Sequence, residues 1–261
     1  MPIAELITSA ANPLLKDVRK ALARGGLTSH GYCVAETFHL LEEALHSRCR
    51  VRTVIVSENV HKNAQSLLHA QPDVRLITVS DKLLDATADV ATSQGVLALV
   101  DPPAYTIDQI FTPQSLVLIL DGLQDPGNLG TILRSAEAFG ATGLILLKGT
   151  VSPFNPKALR ASAGSIFRVP FVHGVEESQA LEAVRANHVD LFAAVPNQNT
   201  RADLTKPCAI VIGSEGRGVS PNLHKNAQQV SIPTTGVESL NAAVSAAILL
   251  YEARRQRSAC L

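Results

Sequence analysis

Aromatic residues are scarce, at 4% of the chain with no Trp, so a base-stacking platform for single-stranded nucleic acid lacks its material. The core must instead be aliphatic, drawn from the 46% of residues that are apolar. An excess of one charge is missing too. Twenty-three basic residues balance twenty-three acidic ones, so any contact with nucleic acid has to come from local patches. Four cysteines without a CxxC spacing, and eight histidines without a pair at metal-ligand spacing, argue against a disulfide framework and against a zinc site. There is no charged-then-apolar leader and no apolar run of about 18 residues, so neither export nor a membrane span is expected, and the cytoplasm is the expected location. Several cofactor and nucleophile motifs are also absent. No GxxxxGK[ST] occurs, no GxGxxG follows a strand, and there is no GxSxG. These absences remove a P-loop NTPase, the dinucleotide fingerprint and a serine-hydrolase elbow.

What is present is an alternation of helical and strand patterns along 261 residues, enough for one large or two modest domains. In the first hundred residues, helices are predicted over Asn12–Ala23, Phe38–His46, Lys62–His69 and Asp81–Ala88. Strands are predicted over Tyr32–Ala35, Val51–Val56, Leu76–Val79 and Val96–Leu99. This is a small α/β unit, residues 1–100. Arg19 and Lys20 on its first helix and Arg24 just beyond it, with Arg48, Arg50 and Arg52 farther on, are its local basic clusters. They read either as solvated faces or as a phosphate-contacting surface. Residues 101–114, DPPAYTIDQIFTPQ, hold three prolines and read as a linker.

The second unit, residues 115–261, opens with Ser115–Leu120, a continuous apolar run typical of a buried parallel strand. The loop Asp125-Pro126-Gly127-Asn128 leads into a helix from about Leu129 to Phe139, and Gly143–Leu147 is the next strand. This βαβ unit places its loop where open α/β sheets keep their ligands. Arg134 lies six residues after Asn128, near the middle of an otherwise apolar helix, and either snorkels to solvent or faces a cleft. A stretch rich in small residues follows, with a short helix at Lys157–Ser162 carrying Lys157 and Arg160. Beyond it come a strand at Arg168–Val172, a helix at Glu176–Asn187 and a strand at Leu191–Val195. The strand Ala209–Ile212 runs into Gly213-Ser214-Glu215-Gly216-Arg217-Gly218, a loop whose glycines suit sharp turning or close approach to a ligand. Last, Val230–Ile232 is read as a strand, Pro233–Gly236 as a turn, and a helix opens near Ser239, which suits an N-cap. Glu238, Ser239 and Asn241 crowd that helix start.

Three loops of one α/β domain thus offer Asn128, Arg134, Glu215, Ser239 and Asn241. The stretches Asp121–Gly130 continuing to Arg134, Ile212–Gly218, and Ile232-Pro233 to Ser239-Leu240-Asn241 resemble, in order and spacing, the three signature motifs of the SpoU (TrmH-like) RNA ribose 2′-O-methyltransferases of the SPOUT superfamily. Val34-Ala35-Glu36-Thr37 with Phe38–Leu45, and Ser93–Val96, resemble more weakly the family's ribosomal-protein-like RNA-binding domain. The resemblance implies a C-terminal SPOUT-type parallel sheet with a trefoil knot, a homodimer formed through that domain with its sites at the interface, and S-adenosylmethionine as cofactor. It places Ala194, Val195, Pro196, Asn197, Gly213, Ser214, Glu215, Gly218, Ile232, Pro233 and Leu240 around that cofactor. Arg19, Lys20, Arg24, Lys157 and Arg160 become candidates for RNA contact. No metal is required.

The implied reaction moves a methyl group to a ribose 2′-hydroxyl, which needs in-line placement and somewhere for a proton to go. Arg134 matches the family's catalytic arginine. A guanidinium, so strongly basic that it stays protonated, is a poor proton acceptor, so the arginine is read as a clamp on the adjacent phosphate that also stabilises the developing alkoxide. Asn128 and Asn241 would orient Arg134 and substrate, Glu215 would fix Arg134 or the cofactor loop, and Ser239 would cap the helix and touch substrate. Thr234 stands where the family usually has Met, and Thr37 where Gly is common. The basic run usual before the first strand is reduced. Ribosomal RNA of the large subunit is the expected target. Transfer RNA, or a non-catalytic assembly protein that keeps the fold, are the rival readings.

Overall fold

The computed structural model describes residues 4–89, 93–196 and 202–258. They form two compact units, Met1–Pro103 with Ser152–Arg168, and Ala104–Val151 with Val169–Leu261.

In the first unit the elements run β1 (Ala4–Ile7), α1 (Pro13–Arg24), β2 (Cys33–Ala35), α2 (Phe38–His46), β3 (Val51–Ser57), α3 (His61–Leu67), β4 (Arg75–Val79), α4 (Asp81–Asp85) and β5 (Val96–Val100). The sheet order is β1-β4-β3-β5-β2. β1, β4 and β3 pair in parallel, and β5 runs antiparallel to both β3 and β2. α1 shows how local chemistry sets an element. The Asn12 side chain accepts from Leu14 N–H, Pro13 opens the helix, and Gly25 closes it in the left-handed conformation, which glycine adopts without a Cβ penalty. Leu15, Val18 and Leu22 of this helix reach a core shared with Ile55, Ile77, Leu97 and Leu99. β1 was not predicted. It is only four residues long and Leu6 is 63% exposed, so its sequence carries no buried-strand signal.

The second unit runs β6 (Leu116–Asp121), α5 (Pro126–Phe139), β7 (Gly143–Leu147), β8 (Phe171–Val175), α7 (Glu177–Ala186), β9 (Asp190–Ala194), β10 (Cys208–Gly213), α8 (Pro221–Asn226), β11 (Gln228–Val230) and α9 (Ala242–Ser258). Helix α6 (Pro156–Ser162) falls between β7 and β8 in the chain. The sequence reading puts α6 in the second unit, but it packs with the first, against β2. Its Arg160 pairs there with Glu36, whose side chain is 1% exposed. Glu36 also accepts from Asp89 N–H at 2.8 Å. Burial pushes the Glu36 carboxyl up, against the opposing pull of that N–H and of Arg160.

The second sheet has the order β11-β9-β10-β6-β7-β8, with parallel pairing throughout. β6, β7 and β10 are buried nearly end to end, as expected for strands covered on both faces. The order reverses between β6 and β10, and at such a reversal the loops leaving the carboxyl ends part to form a crevice.

Several boundaries differ from expectation, among them the start of α5, at Pro126 rather than about Leu129, and the end of α4, at Asp85 rather than Ala88. β8 begins at Phe171, after Pro170, which has no N–H to give and instead accepts from Leu144 N–H at 2.9 Å. β11 ends at Val230, where its carbonyl takes the last ladder bond from Val195 N–H. α9 begins at Ala242 rather than near Ser239. At its other end, Arg257 donates to the carbonyls of Gln114, Ser115, Leu204 and Lys206 at 2.8–2.9 Å. It thereby closes backbone groups at the start of β6 and ahead of β10.

Candidate functional site

The site is built from the loops that leave β6, β9, β10 and β11. At the end of β6, Asp121 accepts from Ser220 N–H at 2.7 Å, which ties this strand end to the loop after β10. Asp125 then caps α5, accepting from Asn128 N–H at 2.8 Å, with Pro126 at the first helical turn. The cap fixes Asn128 on the first turn of α5. Its Nδ2 donates to Glu215 Oε1 at 2.5 Å, and its Oδ1 accepts from Asn241 Nδ2 at 3.1 Å.

The direction of this chain is determined at both ends. An ionised carboxylate can only accept, so the Asn128 amide nitrogen must face Glu215. Asn241 Oδ1 accepts from Ala243 N–H at 2.9 Å and Val244 N–H at 3.3 Å. Helix N–H groups can only donate, so the Asn241 amide nitrogen must face Asn128. Asn241, not Ser239, is therefore the N-cap of α9, a role to which a short side-chain carbonyl is well suited. Residues 87 and 113 positions apart become one relay, Glu215–Asn128–Asn241.

The loop after β10 is folded tightly on itself. A Cβ on Gly213 would lie 2.1 Å from the Gly218 carbonyl carbon and 2.3 Å from Val219 N, so no other residue fits there. Gly218, at φ +67°, donates its N–H to Ser214 O at 2.9 Å, and Ser214 Oγ accepts from Arg217 N–H at 3.3 Å. Beside this loop lies a cavity of about 600 Å³. Of the expected cofactor residues, Ala194, Val195, Pro196, Gly213, Ser214, Glu215, Gly218, Ile232 and Leu240 line it, as does Ser239. Pro233 does not; it borders a neighbouring cavity of about 790 Å³. Asn197 lies outside the described residues. Asn128 and Asn241 form the relay without lining the cavity.

Arg134 is not brought to this cavity. It is exposed on α5, on a helix that packs against α9. Thr234, expected in the wall of the cofactor pocket, lines it as well, and the lining also holds residues that sequence reading did not assign to the cofactor, among them Arg217, His224, Glu238, Ala242, Ser245 and Leu249. His224 Nε2 stands 3.2 Å from Gln229 Nε2. The one available signal was the spacing of Ala242, Ser245 and Leu249 along a single helix face.

Among the expected RNA contacts, Lys20 and Arg24 are exposed on α1 and Lys157 is exposed on α6. Arg19 bonds the Ala10 carbonyl at 2.6 Å, and Arg160 is held by Glu36. A Cβ on Gly25 would lie 2.5 Å from Asn155 Nδ2. The end of α1 and the start of α6 therefore meet, and basic residues more than 130 positions apart share one unit of the protein.

Comparison with known proteins agrees with this arrangement. The profile of the SpoU rRNA Methylase family matches residues 115–251, and that of the MRM3-like substrate binding domain matches residues 12–98. An uncharacterized tRNA/rRNA methyltransferase of Synechocystis sp. is 38% identical, across 96% of this chain and 94% of that protein. The 23S rRNA (guanosine(2553)-2′-O)-methyltransferase RlmP of Bacillus subtilis is 32% identical, across 95% of this chain and 98% of its own. The crystal structure of an AdoMet-bound rRNA methyltransferase from Sinorhizobium meliloti superposes with a TM-score of 0.83 at 27% identity, across 97% and 98% of the two chains. With its three motif loops gathered at the end of a parallel sheet, and matches that run the length of the chain, this protein belongs to the SpoU family of RNA methyltransferases.

Proposed function

We propose that the protein transfers the methyl group of S-adenosylmethionine to a ribose 2′-hydroxyl of 23S ribosomal RNA in the cytoplasm. The observation that carries this reading is the Glu215–Asn128–Asn241 relay beside the cavity. The residues present fit the cofactor. A cavity of about 600 Å³ lies within the usual range for small-molecule sites, about 300–1,000 Å³. Val230, Ile232 and Leu249 give it an apolar wall, while Glu215, Arg217 and Glu238 supply charge. Bound there, the cofactor provides an electrophilic methyl on a sulfonium.

The chain's own groups do the rest. The relay holds Glu215 and Asn241 in fixed orientation, so the polar edge of the cavity does not have to reorganise when substrate arrives. Arg134 acts as a clamp for the phosphate next to the acceptor ribose. Because Arg134 is exposed and away from its own chain's cavity, the reading includes a homodimer in which a second copy supplies it. Val244, Ile248 and Tyr251 support that dimer. They lie along α9 at helical spacing and are 46%, 38% and 54% exposed, an apolar stripe beside the α5 that carries Arg134. The trefoil knot implied by the family resemblance belongs to the same proposal. RNA would be held by Lys20, Arg24 and Lys157 on the first unit. The 23S rRNA assignment leans on the likeness to the Bacillus subtilis enzyme.

The test is methyl transfer from labelled S-adenosylmethionine to total RNA from a strain lacking this gene, with wild type and Arg134→Ala side by side. Label in 23S rRNA that is lost in the variant supports the reading and maps the nucleotide. Label in transfer RNA would replace the target, and absence of transfer despite cofactor binding would overturn the assignment of an RNA acceptor.

A further inference from the structure

Among the described residues, Arg217 is the one Lys or Arg side chain that lines the cavity. It is exposed and has no ion-pair partner among them. It lies beside the loop that leaves β6. The guanidinium Nη2 would stand 3.3 Å from a Cβ on Gly122. That residue is buried, at φ +70°, and a side chain there would be both strained and pressed against the guanidinium. Ser214, whose hydroxyl accepts from Arg217 N–H and whose carbonyl accepts from Gly218 N–H, ties the loop from which the side chain leaves.

The lining is polarised. Ala194, Val230, Ile232 and Leu249 are apolar, whereas Glu215, Glu238 and Arg217 bring charges of both signs into the same cavity, Glu215 being engaged by Asn128. An unpaired guanidinium inside a cavity calls for an anionic ligand group, and its planar fork of donors matches a carboxylate. We propose that Arg217 binds the α-carboxylate at the methionine end of the cofactor. It is thus a specificity determinant that distinguishes an amino-acid-bearing nucleoside from a plain thionucleoside. This rests on the cofactor reading given above. An RNA phosphate is the less fitting partner, because the exposed cations on α1 and α6 lie outside the cavity and this one lies within it.

The experiment is isothermal titration of the full-length protein with S-adenosylhomocysteine and with 5′-methylthioadenosine, which keeps the nucleoside and sulfur but lacks the amino-acid end. Wild type, Arg217→Met and Arg217→Lys are compared. The expected result is that Arg217→Met weakens S-adenosylhomocysteine about ten- to hundredfold, the range for loss of a charge-assisted contact. Binding of 5′-methylthioadenosine should stay within about twofold, which also shows that the variant is folded, and Arg217→Lys should recover part of the loss. Equal weakening of both ligands would overturn the assignment, as would unchanged binding of both, which would turn Arg217 toward RNA. If wild type bound neither ligand, the cofactor reading itself would fail and the assignment with it.

Discussion

The relay can be tested by reversing its polarity. In Asn128→Asp the side chain keeps its shape and can still accept from Asn241, but it loses the donor that meets Glu215 at 2.5 Å and sets two carboxylates against each other. Glu215 is exposed and Asn128 half-buried. Water therefore reduces the charge-assisted bond, about 1.5–3 kcal/mol in a dry setting, to about 1 kcal/mol. Repulsion adds about 1 kcal/mol more. The sum of about 2 kcal/mol corresponds to a loss of about thirtyfold in kcat/KM if the relay is fully formed in the transition state. Glu215→Gln alone is milder, because a neutral acceptor remains, and about threefold is expected. Combining Asn128→Asp with Glu215→Gln restores the match: the new amide on the loop after β10 can donate to the new carboxylate on α5, and the number of carboxylates returns to that of wild type. Recovery to within about fivefold of wild type, measured as single-turnover methyl transfer to the mapped RNA, would yield a coupling energy of about 1.7–2.7 kcal/mol. A double variant whose loss is the product of the two singles would refute the reasoning, since the residues would then act independently.

Gly213→Ala is expected to abolish binding of S-adenosylhomocysteine by calorimetry, because its Cβ would overlap the Gly218 carbonyl carbon at 2.1 Å and the loop would have to open. Retained affinity would show that the loop is not part of the cofactor site. Arg257→Met removes donors to four backbone carbonyls. A loss of about 2–4 kcal/mol is expected in urea unfolding, and a loss under about 1 kcal/mol would mean that water replaces the guanidinium. For Glu36 the folded-state pKa is raised by burial, so the folded state binds its proton more tightly than the unfolded chain. Its ionisation therefore costs stability as pH rises from the ordinary carboxylate range through the raised value, and below that range the cost is absent. Glu36→Gln should flatten this part of the stability–pH curve, and an unchanged curve would contradict the assignment.

The central strands were legible because burial on both faces leaves an unbroken apolar run, as in Leu116–Asp121 and Gly143–Leu147. The signals of Asn12 and Asp125 as caps are local too, yet the sequence reading takes Asp125–Asn128 as loop and begins α5 about three residues late, because Pro and Gly in a first turn look like a turn until the cap is seen. What else escaped depends on partners distant in the chain. Arg257 looks like one more cation on a polar helix end until the carbonyls of Gln114 and Leu204 arrive beside it. Arg160 reads as a surface charge until Glu36, 124 positions away, is buried against it.

The position of the α9 cap shows the same limit at close range. Ser239 and Asn241 are both competent N-caps by residue type, and sequence pattern alone does not choose between them. The choice is made by Asn128. Its Oδ1 needs a donor once Glu215 has taken its amide N–H. Only a side chain with both a donor and an acceptor can supply that donor while closing the helix. A serine hydroxyl has a single hydrogen. It could cap the helix as an acceptor and still point that hydrogen at Asn128, but its oxygen is one atom where Asn241 offers two groups set apart by the amide plane. The amide spans the distance between α5 and the first turn of α9, so the same residue that starts the helix also completes the relay. That coupling ties the start of α9, whose Ala242, Ser245 and Leu249 line the cavity, to the polar residues at its edge.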